Sequence, residues 1–478
     1  YTYGVARIKA KMNREEANSR WIVLLTRMYE DHGDYLHALE LYNKIESEYG
    51  EHPMISYYKS NCYREIGQFK KAISEATKAV ELSEDKSFYS HRGDIYRSAG
   101  MYKEAIADYA RGNGIILIAV SNDPNAKFFD IAQETYVVSS TDADAMKKLI
   151  REKNIDGVYL GSHEVVVTAA CDYVRESGLP CYCTREQWDT FRDKELFKVF
   201  CVSAGLPVVP QFKIDADNLV ASAETLPYPV VTKPSDGCGS RGFSVCNNAA
   251  EFLIGYRKAR DASPNGKVIV ERFVKNSAIV VFYTFSAGKV IFSGIERKYP
   301  VRYSDVGSYV AGLHLFEDTL KTTFRERFED KLAKAFKSAD LREGSLWIEI
   351  FQDGDEYYFN EAGYRYGGSV SVYPVDYFYG INQVGADIYF ALTGKSCVYG
   401  HKSLIPASLP RKNFYAIYDL HMKSGTVAKI TGIEEFMTRK NAVLVAETKS
   451  VGDTVKHTGT FGQVFALVHF VFDRSEEH

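Results

Sequence analysis

The segment Lys233-Pro-Ser-Asp-Gly-Cys-Gly-Ser-Arg-Gly-Phe243 follows an apolar run, Pro229-Val-Val-Thr232, and carries Gly237, Gly239 and Gly242 together with Ser235 and Ser240. Residues of these types can wrap phosphate. Glycine lets backbone N–H groups approach an anion closely, and a lysine at a strand end adds a point charge. A Walker A loop places its lysine after the glycines and opens a helix. Here Lys233 precedes them, and Phe243-Ser-Val-Cys246 reads as a second strand. A glycine-rich hairpin over a nucleotide is therefore expected, although the loop taken alone reads equally well as a flexible hairpin tip. Cys238 within it has no base placed nearby by the sequence, so it is expected to fill space and not to act as a nucleophile.

Two acids offer a different chemistry. Leu346-Trp-Ile-Glu-Ile-Phe351 and Tyr357-Tyr-Phe-Asn-Glu-Ala-Gly-Tyr-Arg365 flank Asp353-Gly-Asp355, and a hairpin centred on Asp355 sets Glu349 across from Glu361. Facing carboxylates repel unless a cation bridges them. Hard oxygens beside phosphates suit Mg²⁺, and both acids interrupt apolar, core-like strands. The competing reading is two solvent-facing acids paired with lysines elsewhere. Between these motifs, Val268-Ile-Val-Glu-Arg-Phe-Val274 is an apolar strand that turns polar. Glu271 and the backbone of Phe273 to Val274 could read a base edge there, while a core strand ending in a charge is the more common situation.

These segments need a scaffold, and 478 residues suffice for three or more domains. Lys plus Arg (59) nearly balances Asp plus Glu (62), so no overall field recruits nucleic acid or an acidic membrane. The longest apolar runs, at 115–120 and 465–468, are too short to span a bilayer, and nothing at the start reads as a signal peptide. The chain opens on Tyr1, so its natural start is expected upstream. Eight scattered cysteines lack the spacing of a disulfide scaffold, which implies a reducing, cytoplasmic setting. Cys181-x-Cys183 has no second pair at zinc spacing and is read as buried thiols.

The front of the chain repeats. Gly33-Asp-Tyr-Leu-His-Ala-Leu39, Gly67-Gln-Phe-Lys-Lys-Ala-Ile73 and Gly100-Met-Tyr-Lys-Glu-Ala-Ile106 share one register, each reading as helix, tight turn and helix. With Trp21, Leu24, Leu25, Tyr29, Tyr35, Ala38 and Tyr42 in the first unit, they resemble tetratricopeptide repeats. That resemblance implies a protein or peptide partner on a concave face; a helical spacer is the alternative. After Gly112 the pattern becomes α/β: strands at 115–120, 135–138 and 157–160 alternate with helices at 142–153 and up to Gly178, as in a parallel sheet. An opening strand, glycine turn and helix are absent. Either the repeats replace that unit, or non-contiguous segments adjoin, or the chain joins two parts.

Lys194 in Arg-Asp-Lys-Glu-Leu-Phe, Lys233 with its glycine loop, the Glu271 hinge, Glu349, Glu361 and Arg365 occur in the order of the ATP-grasp superfamily, which the chain resembles from about residue 115 onward. The resemblance implies an α+β multidomain protein: repeat-like helices at 1–112, an α/β pre-ATP-grasp domain at 114–190, an ATP-grasp domain at 191–395 and a C-terminal lobe at 396–478. It also implies ATP held by Lys194, Lys233, Ser235, Gly237, Gly239, Ser240 and Gly242, with adenine framed by Glu271, Arg272, Phe273 and Val274. Mg²⁺, or Mn²⁺ in its place, would sit on Glu349 and Glu361, and Arg365 would steady an acyl phosphate. Arg297 and Arg302 are candidate substrate anchors in the variable region, where a solvated charged loop is an equal reading.

Two departures stand out: the family's third metal ligand, an Asn two residues after the second Glu, is Gly363, and the acid that often contacts ribose has no counterpart at Ser277 or Ala278. The implied activity is ATP-dependent joining of a small-molecule or peptide carboxylate to an amine. Carboxyphosphate chemistry like that of carbamoyl phosphate synthetases and biotin carboxylases is a second reading. A third is a repeat scaffold whose degenerate lobe senses nucleotide.

Overall fold

The computed structural model describes Val5, Ile8 and residues 19–99, 101–235, 242–274, 277–303, 308–317, 320–406, 408–456 and 459–473. It divides into two compact units, Tyr1–Asp142 and Ala143–His478. Among the described residues no helix is long and apolar enough to cross a membrane.

In the first unit the helices Ser19–Asp31, Tyr35–Tyr49, Pro53–Glu65, Phe69–Glu81, Ser87–Ser98 and Tyr102–Gly112 each pack on the next. The turns repeat one hydrogen bond: the N–H groups of Asp34, Gln68 and Met101 donate to the carbonyls of Tyr29, Tyr63 and Tyr96, each at 2.8 Å. Gly33 and Gly67 supply the left-handed φ (72° and 74°) that these turns need. The core is built from Leu25, Tyr29, Ala38, Leu39, Tyr42 and Cys62, then Ala72, Ala76 and Ile95. Across it runs an ionic cluster in which buried Lys59 meets Glu46 (2.8 Å) and Glu75 (2.7 Å), and Lys78 meets Glu46 and Glu51 (2.7 Å each).

The helices give way to a parallel pair, β1 (Ile118–Ser121) and β2 (Glu134–Val137), in the register Ile118↔Glu134 to Ser121↔Val137. The expected strand start at Ile115 is instead part of the helix stop, its N–H donating to Ala110 O at 2.9 Å. Residues 157–160, expected to be a strand, form no ladder. Gly157 lies so close to the backbone of the helix Gln383–Thr393 that a Cβ would strike the Ala391 carbonyl, so this segment runs against a helix where a strand partner was expected.

Two antiparallel sheets shape the second unit. The small one, in the order β4-β3-β5, comprises β3 (Val230–Pro234), β4 (Ser244–Cys246) and β5 (Val268–Arg272). The helix Ala249–Ala262 covers one of its faces, with Val230, Cys246, Phe252 and Val270 in the seam. The closeness demands Gly255, whose Cβ would lie 2.8 Å from both Cys246 Sγ and Thr232 Oγ1. The large sheet comprises β6 (Ser277–Ser286), β7 (Lys289–Tyr303), β8 (Ser308–Phe316), β9 (Gly344–Asp353), β10 (Glu356–Gly363), β11 (Phe414–His421), β13 (Ala442–Glu447) and β15 (Val464–Phe472). Its order is β10-β9-β6-β7-β8-β11-β15-β13, and β12 (Gly425–Thr426) pairs separately with β14 (Thr454–Val455).

One face of this sheet packs on the helix Lys321–Ser338: the Phe336 ring lies 5.1 Å from Tyr283, and Phe328 lies 5.4 Å from Phe359. Strand alternation sends Val280, Phe282 and Glu349 to the opposite face. There Val280 and Phe282 join Val375 and Tyr377 of the helix Val372–Tyr379 in a separate core.

Candidate active site

The site is assembled where the two sheets present their acids and lysines. Asp193 caps the helix Lys194–Ser203, accepting from the N–H groups of Glu195 (2.8 Å) and Leu196 (3.0 Å). That start places Lys194 and Lys198 one turn apart on a single side. On the small sheet Val231 pairs with Glu271, so Lys233 and Glu271 share a face. Lys233 Nζ lies 2.5 Å from Glu271 Oε1, and Lys198 Nζ donates to the other oxygen, Oε2. Lys233 also donates to Asn360 Oδ1 (2.9 Å), Asn360 Nδ2 donates to Glu349 Oε1 (2.9 Å), and Lys298 donates to Glu349 Oε2. A continuous polar chain thus runs Lys198–Glu271–Lys233–Asn360–Glu349–Lys298.

The hairpin does set Glu349 against Glu361, by a route the sequence reading missed. The turn is the two residues Gly354-Asp355, and pairing runs evenly from Glu356↔Asp353 to Phe359↔Ile350. A β-bulge then lets Asn360 be skipped, so that Glu361 faces Glu349. The same bulge leaves Asn360 buried between Lys233 and Glu349. Glu361 is more open, 31% exposed, with Lys194 Nζ at 3.5 Å.

Three ammonium groups stand in the chain against two carboxylates, one positive charge in excess. Burial pushes the Glu271 carboxyl up, but Lys233 and Lys198 outweigh it and hold the group below the usual carboxylate range. Burial likewise opposes ionisation of Glu349, and Lys298 with the Asn360 hydrogen bond more than offsets it. Lys198 moves the other way. Burial, reinforced by repulsion from Lys233, lowers it despite Glu271. An anion entering this cradle relieves that unfavourable charge.

Several expected residues sit differently. Ser235 is fully buried, its Oγ donating to Asn265 Oδ1 at 3.2 Å, so its hydroxyl is engaged with the turn before β5. Gly237, Gly239 and Ser240, with Cys238, lie outside the described residues. Gly242 has a φ of 76°, and a Cβ there would come within 2.7 Å of Ala262 and 2.8 Å of Pro234, so only glycine lets the backbone at 242 lie against the strand end. The Glu271 carboxylate is given over to the two lysines. The Phe273 N–H is taken by Pro229 O (3.1 Å), and Val274 beside it is buried. Arg272 spreads its guanidinium 4.9 Å over Tyr358.

Arg297 pairs with Ile279, on the face opposite Glu349, and reaches Glu317 at 3.7 Å. The structure therefore does not bring it to the acids; its neighbour Lys298 takes that place. Arg302 lies near the exposed end of β7, opposite Tyr309. Arg365 follows β10, with its guanidinium 5.4 Å over Trp347, one nitrogen donating to Tyr366 O (2.9 Å) and another 3.8 Å from Glu164. Lys198, Lys298 and Asn360 escaped the sequence reading. The available signals were the i, i+4 spacing from Lys194 and the alternation Glu296-Arg297-Lys298; the bulge at Asn360 had no local signal.

The donor set fits one hard cation only in part. Among the described residues no three acids, histidines or cysteines converge. Glu349 and Glu361 would supply two oxygen ligands, which suits Mg²⁺ if phosphates and waters complete its shell.

Small sheet, large sheet and bridging acids define the ATP-grasp fold expected from the sequence, and comparison with known proteins agrees. The family described as Carbamoyl-phosphate synthase L chain, ATP binding domain, matches residues 193–281. A formate-dependent phosphoribosylglycinamide formyltransferase of Tolumonas auensis is 23% identical over 257 residues, 53% of this chain and 63% of that protein. The chain thus spans just under two thirds of the length of the curated relatives it matches. The structure of an L-amino acid ligase from Bacillus licheniformis superposes with a TM-score of 0.60 at 20% identity, covering 76% of this chain and 89% of that one. The biotin carboxylase domain of the Hydrogenobacter thermophilus 2-oxoglutarate carboxylase, solved with MgADP, ADP and bicarbonate, gives 0.59 at 17% identity, covering 77% and 84%.

Proposed function

We propose that this protein is an ATP-dependent ligase that joins a carboxylate to an amine through an acyl phosphate. The observation that carries the reading is the continuity of the Glu349–Glu361 pair with the Lys198–Glu271–Lys233 cluster through Asn360. Mg²⁺ held on Glu349 and Glu361 would neutralise phosphate charge. Lys194, Lys198, Lys233 and Lys298 carry the rest, Lys233 and Lys198 being fixed in advance by Glu271 so that little reorganisation accompanies reaction. A carboxylate oxygen bonds to the γ-phosphorus as the bond to ADP breaks. The amine nitrogen then attacks the acyl carbon, phosphate leaves with the C–O bonding pair, and the nitrogen releases a proton to solvent. Arg365 presents a planar fork suited to the carboxylate or acyl phosphate.

The similar proteins favour small acids: formate, an L-amino acid and, in the biotin carboxylase complex, bicarbonate. The last keeps carboxyphosphate chemistry as the second reading. For the front of the chain we propose tetratricopeptide-like repeats at 1–112 that hold a peptide or protein partner, with 114–190, 191–395 and 396–478 as the pre-ATP-grasp, ATP-grasp and C-terminal parts. Phosphate release from MgATP against a panel of amino acids, peptides, formate and bicarbonate tests the ligase reading. Release that depends on one acid and disappears in Glu361→Ala supports it. Nucleotide binding without turnover on any member sinks it in favour of a nucleotide-sensing scaffold.

A further inference from the structure

Trp347 lies on β9 two residues before Glu349, hence on the same face, and its cross-strand partner on β10 is Gly363. A Cβ on Gly363 would stand 2.5 Å from the indole Nε1, 2.7 Å from Cε2 and 2.8 Å from Cζ2. The indole therefore occupies the space that a side chain at 363 would take, the place at which the resembled family carries its third metal ligand. The exchange reverses the chemistry. An asparagine oxygen offers lone pairs to a cation, whereas an indole Nε1–H is a donor only and can be met only by an acceptor. That N–H is buried and meets no acceptor among the described residues, a state that native interiors seldom leave unresolved. Arg365 lies over the same ring at 5.4 Å, so a second donor group, permanently charged, stands beside it.

We propose that Trp347 Nε1–H donates to an anionic oxygen of the carboxylate substrate, or of the acyl phosphate made from it, and that Trp347 and Arg365 together form the acid-binding position of the site. This rests on the ligase reading and names the group that reads its first substrate. One side of the Glu349–Glu361 pair holds cation, and the other, where Gly363 lacks a side chain, holds anion. Trp347 binds by its N–H, and its ring supports Arg365. A phenylalanine keeps the ring and loses only the donor.

The test follows the indole directly. In full-length protein carrying ¹⁵N-labelled tryptophan, the Trp347 indole signal is assigned by its loss in Trp347→Phe, the chain having 3 tryptophans. With MgADP present, formate, acetate, L-alanine and inorganic phosphate are titrated in turn. The expected result is a downfield shift of the Trp347 indole proton by at least one of the four. Trp347→Phe then weakens binding of that probe about tenfold, as expected for a lost hydrogen bond to a charged acceptor, and leaves the MgADP Kd within about twofold. Gly363→Ala, which must push the indole aside, weakens the same probe without removing the N–H. An indole signal unmoved by all four probes overturns the proposal, as does Trp347→Phe binding the shifting probe as tightly as the parent. Acid-dependent phosphate release with an unmoved indole discards the proposal and spares the ligase reading. A moved indole without turnover keeps the anion position and discards the ligase reading.

Discussion

Each unit contains a buried cluster of lysines and glutamates, and the two are charged in opposite senses. In the helical unit Lys59 and Lys78 face Glu46, Glu51 and Glu75, every ammonium lying at 2.7–2.8 Å from two carboxylates. Burial opposes the charge on Lys59, yet Glu46 and Glu75 raise it above the ordinary lysine value. In the second unit Lys198 and Lys233 share Glu271, Lys298 meets Glu349, and Lys198 is lowered. In the first cluster each ammonium is held between two carboxylates, and the carboxylates are in excess. In the second the lysines outnumber the carboxylates they touch, and an excess of buried positive charge marks a place for an anionic ligand.

The largest expected effect tests whether the second cluster is functional at all. Glu361→Ala should lower acid-dependent phosphate release on the order of 10²–10³-fold, the scale of losing one preorganised charge contact, while the melting temperature barely moves because Glu361 is partly exposed. Next come matched lysine deletions. Lys59→Met leaves Glu75 without its ammonium partner and should cost about 3 kcal/mol of stability, with MgATP affinity unchanged. Lys198→Met leaves Glu271 still paired with Lys233 and removes the surplus charge, so it should cost less than about 1 kcal/mol while raising the MgATP Kd tenfold or more. Urea unfolding and nucleotide titration of the two variants decide the matter; equal stability losses would erase the distinction.

Much of the candidate site was legible because strand chemistry is local. Acids interrupting apolar strands around an Asp-Gly turn located Glu349 and Glu361, and the glycine repeat located the helical turns at Gly33 and Gly67. What was hidden depends on meetings between distant elements. Lys198 is 73 residues from Glu271, and Lys298 is 51 from Glu349, so neither partner announces the other. The hairpin was centred half a residue off, and only the Asn360 bulge restores the pairing. Gly157 read as part of a strand because its packing against Ala391, far along the chain, leaves no local trace.

A pH profile sharpens the comparison on the second unit alone. His314 on β8 lies 2.8 Å from Glu296 Oε1 and 3.6 Å from Asp419 Oδ2. Burial lowers it, but these two acids raise it to about 9. A base raised in the folded state stabilises fully below its unfolded pKa of about 6.5, and that stability is lost as pH climbs through about 9. Between about pH 6 and pH 8 the second unit should lose about 2 kcal/mol. His314→Gln should flatten that slope in urea titrations, whereas Lys59→Met should leave it intact.

The smallest expected effect separates two adjacent residues on one strand. Arg297 and Lys298 differ by one position on β7, hence by a face of the sheet, and only Lys298 reaches Glu349. Arg297 pairs with Glu317 at 3.7 Å, away from the Glu349–Glu361 pair. Arg297→Ala should therefore leave KM for the acid and kcat within about twofold, a change of less than about 0.5 kcal/mol. Lys298→Met, beside it, strips Glu349 of its ammonium donor, leaves the Asn360 hydrogen bond in place and should depress kcat far more. The reverse outcome, in which Arg297 matters and Lys298 does not, would mean that the substrate lies on the helix-covered face, and the contrast between the two charge clusters would lose its functional meaning.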